Sequence, residues 1–363
     1  MDVNDLLPFA APSAAPGRAM LRDVGGGAGQ PVDTTFEVRT SFDFAISLAS
    51  EVGGTDELPP ADRRWLEAAR ASLPNGVRPA AEQETFIFGA ALAVDNPDVV
   101  DAASFVDLLR AASGRDFAVA VLADLRRDPE RRDDIAHALD GDDEAIERVA
   151  GCWPKAKQAW LSTLLREPDA ALSDVVALMA AWLPKYQEIE PRVRAILERD
   201  VELRALDRRR LGAAALIERT TNGIRWLSEP GVRRVVLAPS YLVRPYNFTF
   251  AGGDWRLFIY PVADTALDVG DPLAPPQAVI RLHRALGDET RLRILRLLRD
   301  RDWYLTEIAE RLALSKPTIK HHLAQLRAAG LVTLIEEGGL SYYSLRRDRL
   351  DDASSELKHY LIP

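Results

Sequence analysis

Residues 305 to 345 run "LTEIAERLALSKPTIKHHLAQLRAAGLVTLIEEGGLSYYSL", and this order leaves few folds open. A short amphipathic stretch begins with a cap at Thr306 and offers Ile308, Ala309 and Leu312 to a core; the link "LS" follows. Ser315 then caps a second helix that carries Pro317 in its first turn and ends at Gly330, since serine at the cap, proline early and glycine just past the end are the ordinary punctuation of a helix. Two strand-like runs on either side of Glu336–Gly339 make a hairpin. Upstream, "AVIRLHRAL" and "ETRLRILRLLR" are amphipathic, the second with Asp288 as its cap and Leu292, Leu295 and Leu298 on one side.

On a helical wheel with Ile319 at zero, Leu323 falls at about +40° and Leu326 at about −20°, which defines a buried stripe. Pro317, His321, Ala324 and Ala328 point the other way, with Thr318, Lys320 and Gln325 on the flanks and His322 at the edge of the stripe as a packing residue. An outward face of short, hydrogen-bonding side chains, almost free of acid, suits a helix lying in a DNA major groove. The candidate DNA-contacting residues are therefore Ser315, Lys316, Pro317, Thr318, Lys320, His321 and Gln325. Lys316 and Lys320 are expected on phosphates.

The charge is divided along the chain. Net charge is −9, but residues 277–363 hold 15 Lys and Arg against 12 Asp and Glu, leaving 31 against 43 for residues 1–276. At 363 residues the chain exceeds what one hydrophobic core usually serves. Residues 1–32, rich in Ala, Pro and Gly, are expected to be a disordered tail; their "VGGGAG" lacks the Gly-Lys-Ser/Thr ending of a phosphate loop. Residues 33–270 are expected to form a helical domain with a small β-sheet, serving effector binding and dimerisation. It begins with a short strand in "TTFEVRTS" and continues through a series of helices. "EIEPRVRAILERDVELRALDRRR" reads as one long charged helix, with Val193, Ile196, Leu197, Leu203 and Leu206 as its stripe. From Ile224 the runs are β-type, with "AGGD" as a hairpin turn, and "DVGDPLAPPQ" marks a boundary. Residues 277–350 form the last domain and 351–363 a C-terminal helical tail.

The blocks "ALGDETRLRILRLL", "TEIAERLALSKPTIKHHLAQLRAAGLV" and "SYYSL", in this order, resemble the arsenic-repressor (ArsR/SmtB-type) family of winged helix-turn-helix transcription regulators. The stretch "YQEIEPRVRAILERDVELRAL…VLAPSYLVRPYNF…LFIYPV" looks like the sensor-like domain that some actinobacterial-type regulators attach to such modules. The fold class implied is mainly α: an N-terminal α-helical domain with a small β-sheet, then a winged helix-turn-helix domain. The resemblance implies a homodimer on double-stranded DNA, a repressor of a pseudo-palindromic operator, and a small-molecule effector or a partner protein.

Two departures from the family pattern stand out. Many relatives have a basic wing tip where this chain has Glu336-Glu337-Gly338-Gly339, so Arg346 and Arg347, with Arg349, are the candidates to compensate. Metal-sensing relatives carry two cysteines where Tyr304 and Thr306 stand here, so no thiolate site forms there. Asp351, Asp352, Glu356 and His359 near the C-terminus are set down as a solvated acidic tail, one histidine among carboxylates being a poor zinc set.

No cofactor and no catalysis are expected. Residues 1–276 contain one histidine, His137, and one cysteine, Cys152, and show no nucleophile elbow, zinc motif or nucleotide fingerprint. The longest apolar run, Val175 to Leu183, spans nine residues, too few for a membrane helix. With Asp2 and Asp5 at the start, a cytoplasmic location without membrane association is expected. Trp153, Trp160, Trp182, Tyr186 and Trp226 are the aromatics that stand as candidate lining of a ligand pocket, set against the plainer reading that they fill a core. Two other readings stay open: an enzyme domain with a regulatory winged-helix appendage, and a winged helix that docks protein.

Overall fold

The structure is a computed structural model that describes residues 32–52, 57–77, 85–123, 125, 131–153, 155–267, 275–337 and 340–362. The expected tail, most of the Pro-rich boundary, and Gly338 and Gly339 lie outside these. After β1 (Asp33–Phe36) and α1 (Thr40–Ile46) come α2 (Pro60–Ala71), α3 (Gly89–Ala93), α4 (Ala102–Ala111), α5 (Gly114–Val121), α6 (Arg132–Leu139) and α7 (Asp143–Gly151). The helical series closes with α8 (Lys155–Arg166), α9 (Pro168–Gln187), α10 (Glu190–Leu203), α11 (Ala205–Arg210) and α12 (Ala213–Thr220).

The long charged helix expected from "EIEPRVRAILERDVELRALDRRR" is broken at Arg204. Its guanidinium turns back to the buried Asp200, at 2.8 and 3.2 Å, and Asp200 also accepts the backbone N–H of Ala263 at 2.7 Å. Val193, Ile196 and Leu197 are buried as expected, but beyond the break Leu203 and Leu206 are 52% and 61% exposed. Conversely, α9 runs through Pro184. Packing prevails over the missing N–H there, because Trp182 and Tyr186 are both wholly buried.

A four-stranded mixed sheet follows, in the order β1, β3 (Arg234–Ser240), β5 (Trp255–Pro261), β4 (Phe248–Ala251). β1, β3 and β5 are parallel, and β4 pairs antiparallel with β5. The hairpin turn joining them holds Gly252, where a Cβ would lie 2.1 Å from the Trp255 ring. Both faces of the sheet are covered, and the two-residue period of a strand sorts its side chains between them. Val236, Ala238, Leu257 and Ile259 join the large helical core. Val235, Leu237, Phe258 and Tyr260 join a smaller cluster with Leu216, Ile217, Ile224 and Trp226.

The C-terminal module holds α13 (Gln277–Leu286), α14 (Glu289–Leu298), β6 (Trp303–Tyr304), α15 (Leu305–Leu312), α16 (Lys316–Ala328), β7 (Val332–Glu337), β8 (Leu340–Leu345) and α17 (Arg347–Leu361). This is a winged helix-turn-helix with its own core, centred on Ile294, Ile308, Ile319, Leu323, Leu326 and Leu331. Asp288 and Ser315 cap their helices as expected, accepting the N–H groups of Arg291 at 2.9 Å and Thr318 at 3.2 Å. The cap of α15 is Tyr304, two residues before the expected Thr306, with the Tyr304 N–H held by Glu307 at 3.0 Å. In α14, Ile294 takes the buried place expected of Leu292, which is 49% exposed.

β2 (Ile224–Trp226), which the sequence groups with the small sheet of 33–270, pairs instead with the wing. It runs parallel to β7, with Ile224 opposite Leu334 and Trp226 opposite Glu336. Just before it, Asn222 donates to the carbonyl of Ala328 at 3.2 Å and accepts from Arg346 at 3.3 Å. Gly330, at φ +73°, lets the chain leave α16 beside Asn222, where a Cβ would approach to 2.9 Å. A second joint is ionic: Arg281 on α13 grips Glu57 with two bonds of 3.0 and 2.6 Å, and Asp264 pairs with the buried Arg244 alongside. Burial first, and then the charge of Arg281, pulls Arg244 down to about 10. Removing one carboxylate leaves buried guanidiniums facing each other, and breaking a buried pair in this way typically costs roughly 3–5 kcal/mol. Glu57→Ala is therefore expected to lower unfolding stability by about 3 kcal/mol in urea denaturation, whereas Asp107→Ala, at the exposed Arg110–Asp107 pair, leaves it almost unchanged.

Candidate nucleic-acid interface

The turn between α15 and α16 is closed by Ala313 in the left-handed region, φ 54°, and by bonds from the N–H of Ala313 to Glu310 at 3.2 Å and of Leu314 to Ala309 at 3.0 Å. It brings the start of α16 to the surface. Ser315, Lys316, Pro317, Thr318 and His321 are exposed, and Lys320 and Gln325 are half-buried. The hydroxyls of Ser315 and Thr318 lie 2.7 Å apart. The expected outward face shortens in the structure, because Ala324 is buried at 5% exposure. α14, α15, α13 and β7 all pack against α16, so only its first half is left open.

Arg291 is a positioning residue that the sequence reading left unassigned. Its guanidinium donates to the carbonyls of Ala285 at 2.8 Å and Arg284 at 2.7 Å, and also to the side-chain oxygen of Gln325. With that oxygen occupied, Gln325 turns its amide N–H to Nε2 of His321, 2.7 Å away. Nε2 then accepts, and the proton of the neutral ring sits on Nδ1. The apolar spacing offers no hint of this chain of contacts; the sequence signal is an arginine on the otherwise buried side of α14.

Arg346 and Arg347 are the candidates to compensate the acidic wing tip. They follow β8 at the root of the wing, about 17 Å of strand from Leu340. Arg346 bonds Asn222 and Asp348, Arg347 donates to the carbonyl of Arg299 at 2.7 Å, and Arg349 pairs with Glu356 at 2.7 Å. The side chains of Glu336, Glu337, Asp351, Asp352 and His359 lie outside the described residues. Among the described residues no group of His, Cys, Asp and Glu is placed to hold a metal ion, and no helix is long and apolar enough to cross a membrane.

The aromatic candidates fill cores and do not share one wall. Trp153, Trp182 and Tyr186 are buried in the large helical core, with Trp160 packed at its edge, while Trp226 belongs to the cluster on the far side of the sheet. Trp182 donates to Ser47 at 2.7 Å and Tyr186 to Asp43 at 2.8 Å. A cleft of about 380 Å³ lies elsewhere, between α5 and α6, lined by Arg115, Val119, Arg132, Ile135, Ala136 and Leu139.

The fold and the exposed helix start define a helix-turn-helix regulator, and comparison with known proteins gives its family. Residues 288–333 match the family described as bacterial regulatory protein, arsR family. The chain is 36% identical over 78 residues to the transcriptional repressor SdpR of Bacillus subtilis, covering 22% of this chain and 87% of SdpR. It is 41% identical over 85 residues to the HTH-type transcriptional regulator CmtR of Mycobacterium bovis, covering 23% and 72%. For the HTH-type transcriptional regulator KmtR of Mycobacterium tuberculosis the identity is 35% over 82 residues, covering 22% of this chain and 63% of KmtR, just under two thirds of its length. The chain belongs to the ArsR family.

His322 is half-buried, its Nδ1 3.7 Å from Asp288 and without a hydrogen-bond partner. Burial holds it below the ordinary histidine range, against the pull of Asp288. A histidine whose folded value is lowered binds its proton more readily in the unfolded chain, so stability is lost as pH falls through the ordinary value of about 6.5 and levels off below the folded value. His322→Gln is expected to flatten that loss, read as unfolding midpoints of the two proteins between about pH 7 and 5.

Proposed function

We propose that this protein is a sequence-specific DNA-binding transcriptional regulator, a repressor, that places the start of α16 in the major groove. The observation that carries the reading is the exposed, acid-free run Ser315–Thr318 with His321, held in place by the Arg291–Gln325 chain. A homodimer would set two such helices about 34 Å apart on a pseudo-palindromic operator. The names of its relatives, among them a transcriptional repressor, support the same reading. Lys316 and Lys320 would meet phosphates, while Thr318 and the Nδ1–H of His321 would face base edges.

The N-terminal part would sense a small molecule or a partner and shift operator affinity by its difference in affinity between two arrangements. Its route to the DNA-binding module is the β2–β7 pairing and the Arg281–Glu57 joint. The cleft between α5 and α6, with two arginines over an apolar floor, suits a small acid better than the filled aromatic core does. No catalysis is assigned; among the described residues, the buried carboxylates of the N-terminal part serve as joints. Asp43 accepts from Tyr186, Ser240 and the N–H groups of Tyr241 and Leu242. Asp62 holds Arg192 and Tyr241, and Asp200 holds Arg204 and Ala263.

Fluorescence anisotropy on the upstream intergenic DNA of the protein's own gene, against scrambled DNA, tests the assignment. Binding is expected to be specific, to weaken steeply with salt, and to be lost in the Lys320→Ala/His321→Ala variant. Binding indifferent to sequence and to that variant would favour the protein-docking alternative. A monomer by sedimentation would rule out the two-helix geometry.

A further inference from the structure

We infer that Arg208, Arg209 and Arg210 of α11, in the N-terminal part, form a second cationic contact surface for the phosphate backbone of the duplex beside the wing; this rests on the DNA-binding reading above. The argument begins with strand direction. β2 runs parallel to β7, from Ile224 opposite Leu334 to Trp226 opposite Glu336, and so points toward the wing tip. α12 precedes β2 through a turn at Thr221–Gly223 and packs back along it, with Glu218 and Arg225 joined by two bonds of 3.1 Å. α12 therefore starts about 12 Å from the turn, at the tip end of the wing. Leu211, just before it, packs into the same cluster as Trp226 and Val232. The three arginines immediately before Leu211 lead up to that end from Asp207, whose carboxylate reaches Arg219 in the last turn of α12, so α11 lies along α12 on the β2 flank of the wing.

Their chemistry supports the same use. All three are exposed, and among the described residues none has an ion pair or a side-chain hydrogen bond. The nearby acids are already committed: Asp207 to Arg219 at 2.7 Å, Asp200 to Arg204 at 2.8 Å, and Glu218 to Arg225. Glu202 is the exposed acid closest in sequence. Three adjacent guanidiniums repel one another and, among the described residues, meet no carboxylate beyond the weak pull of their own helix end, whereas a duplex backbone carries one charge per about 1.7 Å of axis and would take them all. The position also answers the acidic tip "EE" at Glu336–Glu337, which is ill suited to contact phosphate. A contact surface of this kind adds affinity and not sequence preference.

The test compares full-length wild type, Arg208→Ala/Arg209→Ala/Arg210→Ala and the corresponding triple lysine variant on a long operator duplex and on one trimmed to the two recognition-helix sites, with salt titrated for each. The alanine variant is expected to keep its sequence preference, lose about tenfold or more in affinity on the long duplex, and flatten the slope of log K against log salt by about 2 to 3 per protomer. On the trimmed duplex the difference should shrink, and the lysine variant should stay close to wild type. An alanine variant with the wild-type slope and affinity on the long duplex overturns the inference while leaving the role of α16 intact. Failure of wild type to bind the operator overturns the DNA reading itself, and this inference with it.

Discussion

Three hydrogen-bonding residues in extended conformation, Ile224–Trp226, join the two parts of the molecule by lying parallel to the first wing strand. Without them β7 would present an open edge of unpaired N–H and C=O groups. With them, the wing becomes a four-stranded sheet whose outer strand belongs to the N-terminal part. The turn before it places Asn222 against both the end of α16 and Arg346 at the wing root. One short segment therefore touches α16, the wing and the sheet behind them.

That segment is held from behind by the mixed sheet. Because β3 and β5 are buried on both faces, alternate side chains serve two cores: the large helical core and the smaller cluster that contains Ile224 and Trp226. Two layers of close-packed side chains therefore lie between the helical core and the wing, and any change on the helical side would have to pass through them. The cluster of Arg281, Glu57, Asp264 and Arg244 adds a second point of attachment at α13. Two separated attachments restrict rotation of the module as one attachment would not.

Much of the C-terminal module was legible in the residues. Its helices and strands are short, and each boundary carries its own marker, such as Asp288, Ser315 and Gly330, so local chemistry determines where they start and stop. The N-terminal part was less legible. α1, α6, α7 and α12 went unanticipated, and the break at Arg204 was hidden because the helical period continues through it in sequence. The break depends on Asp200 finding Ala263, 63 residues away, and no local pattern encodes that. The site shows the same division. The exposure of Ser315–Thr318 and His321 follows from helical periodicity, while the orientation of His321 depends on Arg291 from another helix.

The sequence by itself determined the winged helix-turn-helix, its family and the small, acid-free face of α16, because these rest on periodicity, caps and turn residues within a few positions of one another. Only the tertiary structure decided that β2 belongs to the wing, that the aromatics fill two separate cores, and that Arg346 and Arg347 sit at the wing root. Those facts depend on which strand meets which edge and which buried charge finds its partner. Such pairings are long-range, with several alternatives compatible with the same local pattern, and the choice among them is made by the packing of the whole chain.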